Sequence, residues 1–151
     1  MSYYSPPFTC SDNATATDFG RANLRGRLSK IIAILTGRSN QLLDLETNSR
    51  GKSVRSCHYT GTHTVKIADI KGSENSCQDF DQNFNPIKIH NRQRWISIAR
   101  AWQHGISLPA IDLVKIRDTY IVRDGHHRIS VARFMGADFI DARVTEWVLE
   151  D

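Results

Sequence analysis

The chain has 151 residues, 40% hydrophobic and 24% charged, with a formal net charge of +4 at pH 7, the profile of one ordinary soluble domain rather than of a disordered or fibrous chain. No apolar run approaches the roughly 20 residues of a membrane span, and the N-terminus lacks the apolar stretch of a secretion signal. Cys10, Cys57 and Cys77 are scattered and odd in number, which argues against a disulfide framework or a zinc site and points to reduced thiols in a cytoplasmic protein.

Residues 1–17 are rich in Ser, Thr, Asn and Pro without a period and read as a flexible tail. Asp18 is placed to cap a helix running to about Thr36, with Gly37 as its stop. Leu24, Leu28, Ile31, Ile32 and Leu35 recur at three- and four-residue steps, so one stripe is expected to be buried by docking on the main domain. Arg21, Arg25, Arg27, Lys30 and Arg38 occupy much of the remainder, and the whole charge excess lies in the first 60 residues. Such a basic amphipathic helix also suits a protein partner, a homodimer, nucleic acid or an acidic membrane. With so few charges a solvated face is the simpler reading. Gln41–Leu45 reads as an extension of the helical part. Residues 46–62, polar and punctuated by Gly and Ser, read as a linker, so 18–61 form a helix and linker unit ahead of the main domain.

From Thr62 the pattern changes. Thr64–Ile70 alternates as a strand does, ends in Lys71-Gly72-Ser73-Glu74 and passes into a polar loop through Asn85-Pro86. Asn91 is placed to cap a helix whose face carries Trp95, Ile98, Ala99 and Trp102, and Gly105 closes it. Two tryptophans seven residues apart are core packing before they are a base-stacking pair. Ile111–Ile116 and Thr119–Val122 form a hairpin about Arg117-Asp118. A further helix runs to about Met135, and Phe139–Val144 is the last strand. The fold class is α/β (α+β): a domain over residues 62–151 with a small mixed sheet and flanking helices, preceded by the amphipathic helix.

The most informative stretch is Asp124-Gly125-His126-His127-Arg128, between the strand 119–122 and the helix that follows. A strand that ends in glycine and opens a helix leaves backbone N–H groups and the positive end of the helix dipole facing whatever lies above the turn. Arg128 adds a planar fork suited to phosphate oxygens, and the two histidines donate hydrogen bonds or move protons near neutral pH. The bland alternative is an Asx turn with solvated histidines. A dedicated metal site is not expected, because adjacent helical histidines point about 100° apart.

This turn, continuing as Ile129-Ser130-Val131-Ala132-Arg133-Phe134-Met135-Gly136, resembles the ParB/sulfiredoxin superfamily over roughly residues 62–151. Lys71-Gly72-Ser73, Asp79-Phe80-Asp81 and the N-terminal helix are similar to a bacterial branch of ParB-like proteins of unassigned role. The resemblance implies nucleotide phosphates on Ser73, Asp124, Gly125, His126, His127 and Arg128, with ATP, ADP or CTP as ligand, alone or with Mg2+. Sulfiredoxins place a cysteine after the glycine; here that position is His126, so their thiol chemistry has no nucleophile. Partition proteins carry Gly-Glu-Arg-Arg and continue into DNA-reading and dimerisation domains, whereas this sequence has Gly-His-His-Arg and ends at Asp151. Free-serine kinases share Asp-Gly-His-His-Arg and use a glutamate shortly after the first strand as general base. Glu74 falls at the comparable place, which implies Glu74 and His126 as catalytic candidates for an NTPase or for phosphotransfer to a small hydroxyl. The intervening segment departs from that pattern, so no amino-acid pocket carries over. Two alternatives stand beside this reading. One is a non-catalytic, nucleotide-responsive module contacting protein or, less favoured, DNA. The other is a ParB-like nuclease, for which clustered acidic residues are not evident.

Overall fold

Ile111–Ile116 and Thr119–Asp124 pair antiparallel about Arg117, which takes a left-handed conformation (φ 54°), and this hairpin centres the sheet. The computed structural model describes residues 12–45, 49, 51–76 and 78–150. In chain order they form α1 (Asp12–Thr36), β1 (Leu43–Asp44), β2 (Val54–Lys66), β3 (Ile70–Ser73), α2 (Arg92–Gln103), β4 (Ile111–Ile116), β5 (Thr119–Asp124), α3 (His126–Phe134) and β6 (Phe139–Leu149), with 3-10 turns at Ile67–Asp69 and Ile89–Asn91. The strands make one mixed sheet in the order β1-β3-β5-β4-β6-β2. β3 runs parallel to β5, and β4 parallel to β6. The α/β class with a mixed sheet and flanking helices is as the periodicities predict.

Apolar side chains on both faces of β4 and β5 explain why this pair is central. Ile111, Leu113 and Val122 pack with Ile129 and Ala132 of α3 on one face, while Val114, Ile116 and Ile121 pack with Leu45 on the other. A third cluster lies among the helices. Trp95 is fully buried, donates its indole N–H to Ser130 Oγ (2.9 Å) and meets Phe19 and Phe134 edge-on at 5.7 and 5.4 Å. The tryptophan thus does core work, in keeping with its helical spacing.

Several expectations are overturned before residue 71. Residues 12–17 are helical rather than a tail, so α1 starts six residues before Asp18, and Thr15 is fully buried. Residues 1–11 lie outside the described residues. Leu43–Asp44 is a short strand beside β3, not helix, and residues 54–62 belong to a 13-residue strand rather than a linker. Conversely, the strand expected over 64–70 breaks at the 3-10 turn 67–69. α1 does dock on the main domain, as expected, with Phe19 and Ala22 sharing a core with Trp95, Ala99 and Val131.

The orientation of α1 is the largest correction. Leu24, Leu28, Ile31, Ile32 and Leu35, expected to be buried, are all exposed. The docked side carries Thr15, Phe19, Ala22, Asn23 and Gly26 instead. Asn23 Nδ2 donates to the carbonyls of Pro86 and Ile87, both at 3.0 Å. A Cβ at Gly26 would stand 2.8 Å from the Pro86 oxygen, so only glycine allows this approach. Aromatic packing at one end and hydrogen bonds at the other therefore outweigh the aliphatic stripe. Cys57 is an exposed free thiol, and Cys10 and Cys77 lie outside the described residues. No helix among the described residues is long and apolar enough to cross a membrane.

Candidate functional site

β5 ends at Asp124, Gly125 takes φ 108° and ψ 19°, and α3 begins at once. Gly125, at the N-cap of α3, has no side chain with which to cap the helix, so this residue leaves the dipole end open toward solvent or a ligand. Parallel pairing delivers β3 to the same place: Ser73 stands opposite Val122, and the Glu74 N–H donates to the Val122 carbonyl at 2.9 Å. Residues fifty positions apart in sequence meet here.

Ser73 is fully buried, and its Oγ lies 2.6 Å from His126 Nε2. The Ser76 N–H donates to the same Oγ at 2.9 Å. When the Ser73 hydroxyl donates to Nε2, the His126 ring carries its hydrogen on Nδ1. Phe80 stacks on His126 (centroids 6.1 Å, planes 18° apart) and meets His127 edge-on at 5.2 Å. His127 Nε2 lies 3.2 Å from Asn91 Oδ1. Asn91 is 4% exposed, and its Nδ2 has no hydrogen-bond partner among the described residues. From the sequence Asn91 reads as a helix cap, yet its side chain makes no cap bond. This residue is the one that sequence reasoning missed; its type and position gave a local explanation that hid the tertiary one. Phe80, noted only as part of a resemblance, is the floor under both histidines.

Burial pushes His126 down from 6.5 to about 4 against the pull of Asp124, Asp79 and Glu74. Burial also takes His127 to about 4, assisted by the Arg94 guanidinium and by His126. Both rings are neutral at pH 7, so they serve as neutral hydrogen-bonding groups rather than as groups titrating near neutrality. In the unfolded chain each titrates near 6.5, so between 6.5 and 4 the unfolded state binds protons that the folded state refuses. Stability is full above the unfolded value, falls as pH drops through this window and levels off below about 4. The expected loss for the pair is on the order of 3 kcal/mol, less than the full displacement because both rings are partly exposed. Urea midpoints at a series of pH values, for wild type and a His126→Gln/His127→Gln variant, measure it. Equal pH slopes in the two proteins would refute it.

The rest of the predicted set separates into two flanks. Arg128, 14% exposed, donates through Nη1 to the carbonyls of Pro109 and Ala110 (both 2.8 Å) and through Nη2 to Asp124 Oδ2 (2.6 Å). Its fork, expected to face phosphate, ties the 109–110 loop to the turn, and Asp124 is its partner. Arg128 lines a groove of about 380 Å³ with Trp102, Pro109 and Asp141. On the other flank Glu74 pairs with Arg123 (Oε2 to Nε, 2.9 Å), whose guanidinium lies over Trp147. Glu74 also lines a polar cavity of about 520 Å³ with Asp44, Ser76, Asp79 and Lys88. Lys88 reaches Asp79 at 2.9 Å. Among the described residues no three His, Cys, Asp or Glu side chains cluster to hold a metal.

No family model matches the chain, and no curated protein matches it. Among solved structures it is similar to the crystal structure of sulfiredoxin from Arabidopsis thaliana, with a TM-score of 0.43 and 12% identity over 55% of this chain and 82% of that one. A likeness of that extent carries no argument, and the fold stands on the strand order and register above.

Proposed function

We propose that the protein binds the phosphates of a nucleoside di- or triphosphate at the N-terminus of α3 and transfers a phosphoryl group to a small hydroxyl compound beside Glu74. The observation that carries the reading is the uncapped α3 terminus with a neutral His126 and the buried, unpartnered Asn91 Nδ2 close by. Free backbone N–H groups and neutral donors in a part-buried site suit phosphate oxygens. Gly125 lets the backbone approach the ligand, and Asp124 and Arg128 brace the turn from its other flank. Ser73 positions His126. The carboxylates and the ammonium around the neighbouring cavity suit a small polar acceptor. Magnesium arriving with the nucleotide would neutralise phosphate charge there.

One observation favours a second reading, a nucleotide-responsive module without catalysis: Glu74 and Asp79 are already paired with Arg123 and Lys88. A thermal-shift series with ADP, ATP and CTP, with and without Mg2+, tests the shared part. A ligand at 100 times its dissociation constant raises stability by about 2.7 kcal/mol. The shift is expected for wild type and should be absent in His126→Ala. No shift with any of the three nucleotides would refute both readings.

A further inference from the structure

α1 turns its most apolar side away from the protein. Leu24, Leu28, Ile31, Ile32, Ile34 and Leu35 are between 48% and 80% exposed. At 100° per residue Leu24, Leu28, Ile31, Ile32 and Leu35 fall in one band opposite Thr15, Ala22 and Gly26, the docked side, while Ile34 falls beside Asn23 at the edge of that side. The band offers on the order of 500 Å² of aliphatic surface, at the upper end of the largest patch a monomer ordinarily leaves open.

Charge decides what covers it. Residues 21–38 contain Arg21, Arg25, Arg27, Lys30 and Arg38 and no Asp or Glu. Helical spacing puts Arg21 within the band between Leu28 and Ile32 and Arg27 at the margin beside Ile31; Arg25 lies past Ile32 with its guanidinium over the Phe134 ring. α2, packed against α1, adds the exposed Arg92 and Arg94. A second copy of the chain would bring further cations to the band with no acidic residue in 21–38 to answer them. Nucleic acid would leave the aliphatic band in water. A bilayer with anionic headgroups satisfies both features.

We infer that α1 is an interfacial helix that lies on membranes containing anionic lipid. Its aliphatic band enters the boundary between headgroups and acyl chains, and Arg21 and Arg27 meet lipid phosphates. Attachment is to one leaflet, since no described helix is long and apolar enough to span.

The test is co-sedimentation of the full chain with vesicles of phosphatidylcholine alone or with about a third phosphatidylserine, against a vesicle-free control. Binding is expected to be at least tenfold tighter to the anionic vesicles and to weaken as salt is raised. Ile31→Asp/Leu35→Asp should lower it by at least tenfold, and so should Arg21→Glu/Arg27→Glu. All four side chains face solvent, and circular dichroism with thermal melts verifies that each variant is folded. Failure of the wild type to bind anionic vesicles overturns the inference, as does equal binding to neutral ones. A dimer in light scattering that Ile31→Asp/Leu35→Asp dissociates, without vesicle binding, overturns it too and makes the band a contact between copies.

Discussion

Gly125→Ala is expected to lower stability by about 2–5 kcal/mol, the sum of two independent penalties. The first is conformational: at φ 108° an L side chain crowds its own backbone, at about 1–2 kcal/mol. The second is steric. A Cβ here would press on the Cγ2 and Cβ of Ile111, a fully buried core residue, and come within 3.3 Å of Arg128 Nη2. Forcing one extra carbon into a packed interior costs roughly 1–3 kcal/mol. Urea or thermal unfolding measures the total. Removing part of the obstruction with Ile111→Ala should make the double variant less destabilised than the two single variants added together. A Gly125→Ala protein within about 0.5 kcal/mol of wild type would mean that the turn is not built this way.

Glu74→Gln is expected to lower nucleotide turnover by about 10²–10⁴-fold, the usual loss when a general base cannot accept a proton. The substitution keeps the shape of the side chain while removing its charge. The Arg123 pair it breaks is partly exposed (25% and 42% for the two side chains), so stability should fall by no more than about 1 kcal/mol. Nucleotide-induced stabilisation should persist, because the proposed nucleotide contacts lie at the α3 terminus rather than at Glu74. The measurement is turnover with a panel of small hydroxyl acceptors, serine first, beside a thermal-shift titration. Lost turnover with retained binding supports the phosphotransferase reading, whereas unchanged turnover removes Glu74 from the mechanism. A wild type that binds nucleotide tightly but turns nothing over fits the non-catalytic module.

The two variants probe different things, and the contrast shows how far composition and spacing reach. The strand, Gly125 and helix succession is a local signal, carried by β-branched residues at 119–122, one glycine and the apolar period after it. That is why it is visible in the chain alone. The partners of the turn are not local. Ser73 reaches His126 only because β3 pairs parallel with β5, and nothing in residues 70–76 specifies which strand that segment joins. Asn91 meets His127 through the packing of α2 on α3. Phe80 arrives on a loop whose shape depends on Asp81. Its Oδ1 accepts from the N–H groups of Asn83 and Asn85 at 2.9 and 2.8 Å.

The histidines carry the same lesson in electrostatic form. Their residue type suggests titration near neutrality, and burial against Phe80 moves both to about 4. Arg128 reads as a free fork, yet the Pro109 and Ala110 carbonyls and the Asp124 carboxylate hold it in place. The 3.6-residue period of α1 likewise marks an apolar face without saying which face docks. Asn23 with Gly26 at the loop and Phe19 against Trp95 make that choice.

By itself the sequence determined the α/β class, the central hairpin, the glycine turn with its helix and the core role of Trp95, because each follows from period, propensity or side-chain size within a short window. Only the tertiary structure decided the strand order, the Ser73–His126 contact, the neutral state of both histidines, the engaged Arg128 and the outward face of α1. Those depend on which distant groups exclude water or donate a hydrogen bond, and free energies of that kind belong to pairs of residues rather than to positions in a chain.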